Sequence, residues 1–266
     1  MRSLSKTLLL LVFLFFCGRN ARAGESEERV LWELWKLHGL ESNHVAVAAG
    51  CRKAEKDLGA SPLAAVPRGL LAWHLLKTGS TSNAEVAATA MLTPGASPVE
   101  QAAAEMAKRW LTRFDRERVR AALREVFKRD IRYPETLDAV GKLPPELRPP
   151  MQDRWGRAWK YGPAALPHIK GVQNSSFGIE SPVLGPDSDL AAFGRQPYPE
   201  APGLKPVAVS TEGARTVTFE TTDARRDRVV LGEGTAHKNV TLAYIGDRIL
   251  VLSDGDHWFV IARPGT

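Results

Sequence analysis

Residues 254–257 read Asp-Gly-Asp-His and combine two carboxylates with one imidazole, which are side chains that serve general acid–base catalysis. They stand between two short runs of apolar residues, 249–252 and 258–261. An Asp-Gly dipeptide between two such runs is typical of a tight turn in a β-hairpin. We therefore predict that this tetrapeptide forms a hairpin turn and is not a catalytic site.

The other residues that carry catalysis in many enzymes are dispersed along the chain. The histidines lack a metal-binding spacing, such as two on one helical turn beside a carboxylate. Glu180-Ser181 does not match a nucleophile elbow, and the glycines around Glu233 have no helix after them to cradle a phosphate. We expect a protein that is not an enzyme and holds no cofactor; a hydrolase whose site forms only in the fold is an alternative. The histidines are His38, His44, His74, His168, His237 and His257.

An Asp-x-Trp-Gly motif and a following tyrosine are predicted to form a structural turn. Asp153 can accept hydrogen bonds from the amides of the turn. Trp155 is expected to bury its ring against the preceding helix, with one acceptor for its indole N–H. Gly156 permits a backbone angle that other residues avoid. Tyr161 is expected on the next strand, as a packing residue with a polar tip.

The order of features after the arginine-rich helix resembles the periplasmic domain of the major pseudopilin of type II secretion, the G-type subunit. Tyr133-Pro134 is followed by the Asp-x-Trp-Gly motif, a strand and a Leu-Gly-x-Asp loop at 184–187. The resemblance covers roughly residues 103–192 and implies a long helix packed on a small antiparallel sheet. It does not extend to the pilin stem, because residues 1–23 lack that family's early glutamate and processing site. We therefore expect a pilin-like head reused in an exported protein, outside an ordinary pseudopilus.

The resemblance also implies a metal, because the acidic loop of that family commonly holds a calcium ion. Here its ligands would be the carbonyl of Leu184 and the carboxylates of Asp187 and Asp189, which are hard oxygen donors. The loop is short, however, and Ala-Ala-Phe at 191–193 stands where more ligands are expected. A turn that the aspartates stabilise, without metal, is the alternative.

Residues 24–96 are predicted to form a helical region, because apolar residues recur there at helical spacing. The segments 70–77 and 84–92 resemble one helical hairpin of a tetratricopeptide-like array, although no second copy follows at a fixed period. A peptide-binding adaptor with a groove along 63–92 is therefore an alternative function.

Residues 97–196 are predicted to form the pilin-like module. Ser97 and Glu100 fit a capping box at the start of its helix. Asp115, in the middle of the helical pattern, is expected to cap the chain anew and bend the helix.

The remaining segments complete an α+β fold. Prolines are frequent between 131 and 200, and residues 197–206 are predicted to be a linker. Residues 207–266 alternate in polarity between turn dipeptides, which predicts an antiparallel β meander. The predicted fold is thus a helical region, a helix packed on a small antiparallel sheet, and a C-terminal meander.

Residues 1–23 are predicted to be a cleaved secretion signal. Arg2 and Lys6 precede an apolar run, and small residues stand before the expected cleavage after Ala23. The run has about ten residues, too few to span roughly 30 Å of hydrocarbon; a retained anchor is the alternative. No later stretch suits a transmembrane segment. We expect a secreted or periplasmic protein with protein partners in the cell envelope.

Charge and cysteine content exclude some classes of partner and of covalent cross-link. The chain has 36 basic and 30 acidic residues, and the signal carries four of the basic ones, so the exported part has a net charge near +2. This balance, with acids interleaved among the bases, argues against a nucleic-acid partner. Cys17 lies in the signal, which leaves Cys51 without a disulfide partner and expected in the core. The predicted function is an exported, non-catalytic structural or protein-interaction module similar to a pseudopilin head.

Overall fold

A computed structural model describes residues 24–40, 42–164 and 174–265. The predicted signal at 1–23, which contains Cys17, lies outside the described residues, as does His168. Within them the chain has the predicted α+β fold, and no helix there combines the length and apolarity of a membrane span. The helices are α1 (24–40), α2 (His44–Leu58), α3 (Ala65–Lys77), α4 (Thr81–Thr89), α5 (Pro98–Asp130), α6 (Asp138–Gly141) and α7 (Leu190–Arg195). The strands are β1 (Lys160–Ala164), β2 (Ser176–Glu180), β3 (Leu204–Ser210), β4 (Thr216–Thr221), β5 (Arg228–Gly232), β6 (Ala236–His237), β7 (Val240–Ile245), β8 (Ile249–Ser253) and β9 (Trp258–Ala262).

Helix α5 begins as predicted and continues past Asp115 without a break. Ser97 Oγ accepts from the Glu100 N–H at 3.2 Å and the Glu100 carboxylate accepts from the Ser97 N–H at 3.1 Å, which confirms the capping box. The helix then runs through 33 residues, so the break predicted at Asp115 is wrong. The Asp115 carboxylate is fully buried and pairs with Arg118 at 2.8 Å and Arg154 at 2.5 Å. It therefore ties residue 154 to the helix, where the arginines satisfy its charge, and leaves the helical backbone intact.

The strands form three antiparallel sheets. β1 and β2 make a two-stranded sheet, β3-β4-β5 a three-stranded sheet, and β6-β7-β8-β9 a four-stranded sheet in sequential order. The strands of the predicted C-terminal meander at 207–266 are divided between the last two sheets, each of which is an antiparallel meander. Residues 254–257 connect β8 to β9, which confirms that the Asp-Gly-Asp-His segment is a hairpin turn.

β8 lies between two hydrophobic cores. Ile249 and Val251 pack into the large core of helices α1 to α5, whereas Leu250 and Leu252 pack into the core shared by the two C-terminal sheets. Successive side chains of a strand point to opposite faces, so a strand that is covered on both sides is apolar throughout. Cys51 lies in the helical core, and burial raises the pKa of its thiol to about 12, which disfavours the reactive thiolate.

Helix α5 joins the helical region to the β1–β2 sheet. Its first half contributes Trp110 and Phe114 to the helical core. Its second half contributes Val119 and Leu123 to a separate core with β1, β2 and Trp159. One long helix therefore positions both the helical region and the sheet.

The predicted linker at 197–206 is packed against the protein for much of its length. Tyr198 lies among aromatic rings, its hydroxyl donates to the Trp258 carbonyl at 2.7 Å, and it accepts from the Trp258 N–H at 2.9 Å. β3 already begins at Leu204. The linker prediction is wrong here because a ring with one polar group at its tip anchors the proline-rich segment.

Candidate functional site

A solvent-accessible cavity of about 610 Å³ opens between the end of α1, the start of α2, the end of α3 and the segment after α7. We call it the histidine pocket, because three imidazoles line it. The full lining consists of Trp35, His38, Gly39, His44, Trp73, His74, Lys77, Pro197, Tyr198, Pro199 and Glu200.

Helical spacing explains how distant residues reach this pocket. Trp35 and His38 are three residues apart on α1, and His74 and Lys77 are three apart on α3, so each pair shares a helix face. His44 is the first residue of α2, directly after Asn43, whose side chain caps that helix by accepting from the N–H groups of residues 45 and 46. The helix packing then brings the three histidines together.

The imidazoles form a hydrogen-bonded chain with His74 at its centre. His38 Nδ1 lies 2.9 Å from His74 Nε2, and His44 Nδ1 lies 2.9 Å from His74 Nδ1. A neutral imidazole has one N–H and one lone pair, so His74 donates to one neighbour and accepts from the other. When all three rings are neutral, the outer nitrogens of His38 and His44 are of opposite kind, one donor and one acceptor. The pocket can meet either kind of polar group on a ligand.

This arrangement differs from a three-histidine metal centre. His74 uses opposite nitrogens toward His38 and His44, so one ion could not be bound by all three rings at the roughly 2 Å distances of metal–imidazole bonds. Over the ranges that the structure describes, there is no cluster of three or more metal-ligating side chains that could hold a metal ion.

Burial disfavours the charged forms of His38 and His74. It lowers the pKa of His38 to about 4, with the nearby His44 and His257 acting in the same direction. It lowers the pKa of His74 to about 3, again helped by the neighbouring imidazoles. Both effects arise because the charged form loses hydration and would repel another cation. Near neutral pH these two rings are therefore hydrogen-bonding groups without charge.

Aromatic side chains form the walls of the histidine pocket and are held in place by the core. The His38 ring centroid lies 5.1 Å from that of Trp35 and 4.3 Å from that of Tyr198. Lys77 lies 4.5 Å above the Trp73 ring and donates to the carbonyls of residues 194 and 196. Burial lowers the pKa of Lys77. These contacts leave a cavity with rigid apolar walls and a few fixed polar groups, as in many binding sites.

The structure places Asp153, Trp155 and Gly156 of the predicted structural motif at one turn and Tyr161 on the strand that follows. The buried Asp153 accepts from the N–H of Trp155 at 3.0 Å, the N–H of Arg157 at 2.9 Å and the hydroxyl of Ser181 at 2.8 Å. Gly156 has a φ of 75°. Tyr161 lies on β1, and its hydroxyl donates to the carbonyl of residue 134 at 2.6 Å.

The ring of Trp155 is only partly buried, which corrects the prediction that it enters the core. Its indole N–H donates to Glu105 of α5 at 2.9 Å, near the surface. The buried tryptophan of this module is Trp159, whose indole N–H donates to the carbonyl of residue 150 at 2.9 Å. Trp159 packs in the core between α5 and the β1–β2 sheet, whereas Trp155 lies outside that core.

Replacing Asp153 with alanine should lower the free energy of unfolding by about 2 kcal/mol, because it leaves two amides and a hydroxyl without an acceptor. Urea denaturation followed by tryptophan fluorescence measures this change. Glu105→Ala is the control at the same turn, since it keeps all bonds to Asp153, removes only partly exposed contacts with the Trp155 indole and Lys108, and should cost less than about 1 kcal/mol. Equal effects of the two variants would show that the carboxylate does not organise the turn.

The residues of the predicted calcium site have protein partners. The Leu184 carbonyl accepts from the Asp187 N–H at 3.2 Å, and the backbone carbonyl of Asp187, which is not its predicted ligand group, accepts from Arg113 at 2.8 Å. Asp189 caps α7 by accepting from the Ala192 N–H at 2.7 Å, and it pairs with Arg116 at 3.0 Å. The capping bond and the arginine stabilise its anion and hold its pKa low, although burial acts the other way. Calcium binding by these residues stays a prediction, as does its alternative, a turn that the aspartates stabilise.

The Asp-Gly-Asp-His turn combines a structural bond network with a buried imidazole. Asp254 accepts from the N–H groups of residues 256 and 257, and its other oxygen lies 3.1 Å from His257 Nδ1. His257 Nε2 is buried and has no hydrogen-bond partner among the residues that the structure describes. Rings surround it, at 5.1 Å from Trp73 and 4.9 Å from Tyr198. His257 in this turn therefore packs against Trp73 and Tyr198, which line the histidine pocket.

Sequence analysis did not identify the histidine pocket. The three histidines are separated by up to 36 residues, and no local spacing relates His74 to the other two. The only local signal was Trp35 three residues before His38, which equally suits a packed helix face.

Comparison with known proteins identifies no relative of this chain. No family model, no curated protein and no solved structure matches it.

Proposed function

We propose that this protein is an exported, non-catalytic interaction module and that the histidine pocket holds an extended segment of a partner protein. The observation that carries the proposal is the chain of three imidazoles at a solvent-accessible cavity with aromatic walls. A cavity of about 610 Å³ has room for a few side chains of a peptide. Uncharged groups that donate and accept suit the amides and hydroxyls of such a segment.

The segment at 197–199 supports a peptide as the ligand. This Pro-Tyr-Pro stretch of the chain itself lies along the pocket and inserts Tyr198 among the rings of Trp35, His38 and Trp73. The same surface therefore already accommodates an extended, proline-flanked aromatic residue. Aromatic grooves bind such segments because proline-rich chains lose little entropy when they dock.

Two predictions from the sequence are compatible with this proposal. Trp73, His74 and Lys77 belong to the range 63–92, where a helical-hairpin adaptor would place its groove. The second half of α5 packs on the β1–β2 sheet, which is the arrangement that kinship to a pseudopilin head implies. Export and that kinship remain parts of the proposal.

Blocking the pocket with Gly39→Phe should weaken peptide binding at least about tenfold, which corresponds to about 1.4 kcal/mol. Gly39 lines the cavity, and a Cβ built there meets no atom within 4 Å, so a side chain can be added at the pocket lining without a clash at the Cβ. The experiment selects binders from a displayed library of random peptides on the purified exported chain. Calorimetry then gives the affinity of the best binder for the wild type and the variant.

Gly141→Phe is the matched control. It makes the same substitution at the end of α6, also with no atom within 4 Å of the new Cβ and outside the pocket. Wild-type affinity in this variant, with loss in Gly39→Phe, would assign binding to the histidine pocket. The absence of any enriched peptide, or equal affinities in both variants, would contradict the proposal.

A further inference from the structure

We propose that a second, separate site binds a phosphate group in a groove between α5 and β2. Three arginines one helical turn apart, Arg116, Arg120 and Arg124, form one side of this groove, which encloses about 500 Å³. We call it the arginine groove. The facing residues include Tyr133, Ser176 and Glu180.

Arg116 is held by the protein at the inner end of the groove. Its Nε donates to the Ile179 carbonyl at 2.8 Å, and its Nη1 donates to Asp189 at 3.0 Å. Only 13 % of its side chain is exposed. These contacts fix the separation between α5 and β2, and they neutralise most of the charge at this end.

The outer end of the groove has donors without acceptors. Arg120 directs Nη1 to Glu117 at 3.1 Å and to Asp189 at 3.8 Å, while its Nη2 and Nε have no acceptor among the described residues. Arg124 forms no ion pair and no hydrogen bond with any residue that the structure describes, and neither does the Tyr133 hydroxyl. The Tyr133 ring is fixed between Phe127 and Phe177, with centroids 4.6 Å from each. Two guanidinium groups and a phenol thus border the same space.

Phosphate suits this set of donors better than a carboxylate does. One forked guanidinium satisfies a planar carboxylate, whereas a tetrahedral phosphate accepts from donors that surround it on several sides. Glu117 and Asp189 pair with Arg116 and Arg120, whereas no carboxylate among the described residues pairs with Arg124, so the unpaired positive charge of the groove is at Arg124. Asp189 is already engaged by Arg116, and Glu180 directly follows Ile179, to which Arg116 bonds, so both acids lie toward the inner end.

Titration of the purified exported chain with inorganic phosphate at low ionic strength tests this proposal. We expect saturable binding with a dissociation constant of roughly 1 mM. Arg124→Gln should weaken it about tenfold, since a charge-assisted bond is lost. Tyr133→Phe keeps the ring packed on Phe127 and should weaken it about threefold.

Arg129→Gln is the matched control on the same helix. Arg129 lies outside the groove and pairs with its neighbour Asp130 at 2.7 Å. Unchanged affinity in this variant is expected. Absence of saturable binding at about 10 mM phosphate, or equal losses in Arg124→Gln and Arg129→Gln, would overturn the assignment.

Two further arms identify the source of the phosphate group. Titration with glycerol 3-phosphate represents a small soluble ester, and sedimentation with phosphatidic acid vesicles represents a lipid headgroup. Saturable binding of the soluble ester that depends on Arg124 would assign a small-molecule site. Binding to vesicles alone that depends on Arg124 would assign a headgroup site. Failure of both, together with failure of inorganic phosphate, would refute the site altogether.

Discussion

Replacing Asp256 with alanine is expected to lower the free energy of unfolding by about 3–5 kcal/mol, because it leaves a buried arginine without its counter-ion. The Arg113 side chain is 1 % exposed, and its Nη1 lies 2.5 Å from Asp256 Oδ1. A second bond joins Nη2 to Oδ2 at 3.1 Å. Arg109 contacts the same carboxylate at 2.7 Å, but its side chain is 25 % exposed.

The pair matters because Arg113 connects three parts of the fold. From α5 it reaches the β8–β9 turn through Asp256, and its Nε donates to the Asp187 carbonyl at 2.8 Å. Its guanidinium also lies 3.9 Å from the centre of the Phe193 ring. Loss of the carboxylate therefore loosens the helix, the hairpin and the turn before α7 together.

Chemical denaturation of matched variants measures this effect. Arg109→Gln keeps the Arg113–Asp256 pair and should cost about 1 kcal/mol or less, as an interaction near the surface does. The double variant Arg113→Met with Asp256→Ala should recover part of the loss, since apolar side chains of similar volume often replace a buried ion pair without cost. An Asp256→Ala variant no less stable than Arg109→Gln would contradict this account.

Acidification from pH 7 to pH 4 should cost about 3 kcal/mol of stability through the histidine chain. The pKa of His38 falls from 6.5 to about 4 on folding, so the unfolded chain binds more protons between these values. Stability is therefore present above pH 6.5 and is lost as the pH falls toward the folded-state pKa. The pKa of His74 is also lowered on folding, to about 3, so it contributes to the same loss of stability. Because His74 and His38 are hydrogen-bonded and titrate as a coupled pair, their two contributions do not simply add.

Denaturation curves at intervals between pH 7 and pH 4 measure this slope. His38→Gln should flatten the dependence, because it removes one imidazole that must stay neutral in the fold. His237→Gln, which changes a histidine outside the pocket, should keep it. A steep wild-type slope that survives in His38→Gln would assign the acid sensitivity to other groups.

Asp256 adds a separate loss at lower pH. Burial alone would raise its pKa, but the charge of Arg113 and the hydrogen bonds from Arg113 and Arg109 outweigh burial and hold the pKa well below its usual 3.8. Its contribution is present above pH 3.8 and declines as the pH falls further. The losses of stability due to His38 and to Asp256 therefore occur in adjacent pH ranges. The variants His38→Gln and Asp256→Ala distinguish the two contributions.

The sequence by itself determined the features that neighbouring residues specify. The capping box of Ser97 and Glu100, the turn between β8 and β9 and the alternation of the C-terminal strands all depend on residues within a few positions of each other. Such patterns need no knowledge of packing, because capping, turn formation and strand polarity act over short stretches of chain. The α+β fold class could be predicted from them.

Only the tertiary structure decided which side chains meet and which are covered. His74 lies 36 positions from His38, and Arg113 lies 143 positions from Asp256. Trp159, and not Trp155, is buried because the packing of α5 on β1 and β2 covers one ring and leaves the other near the surface. Contacts of this kind depend on how helices and sheets pack. The number of residues between two positions in the sequence does not determine how far apart their side chains lie in the fold.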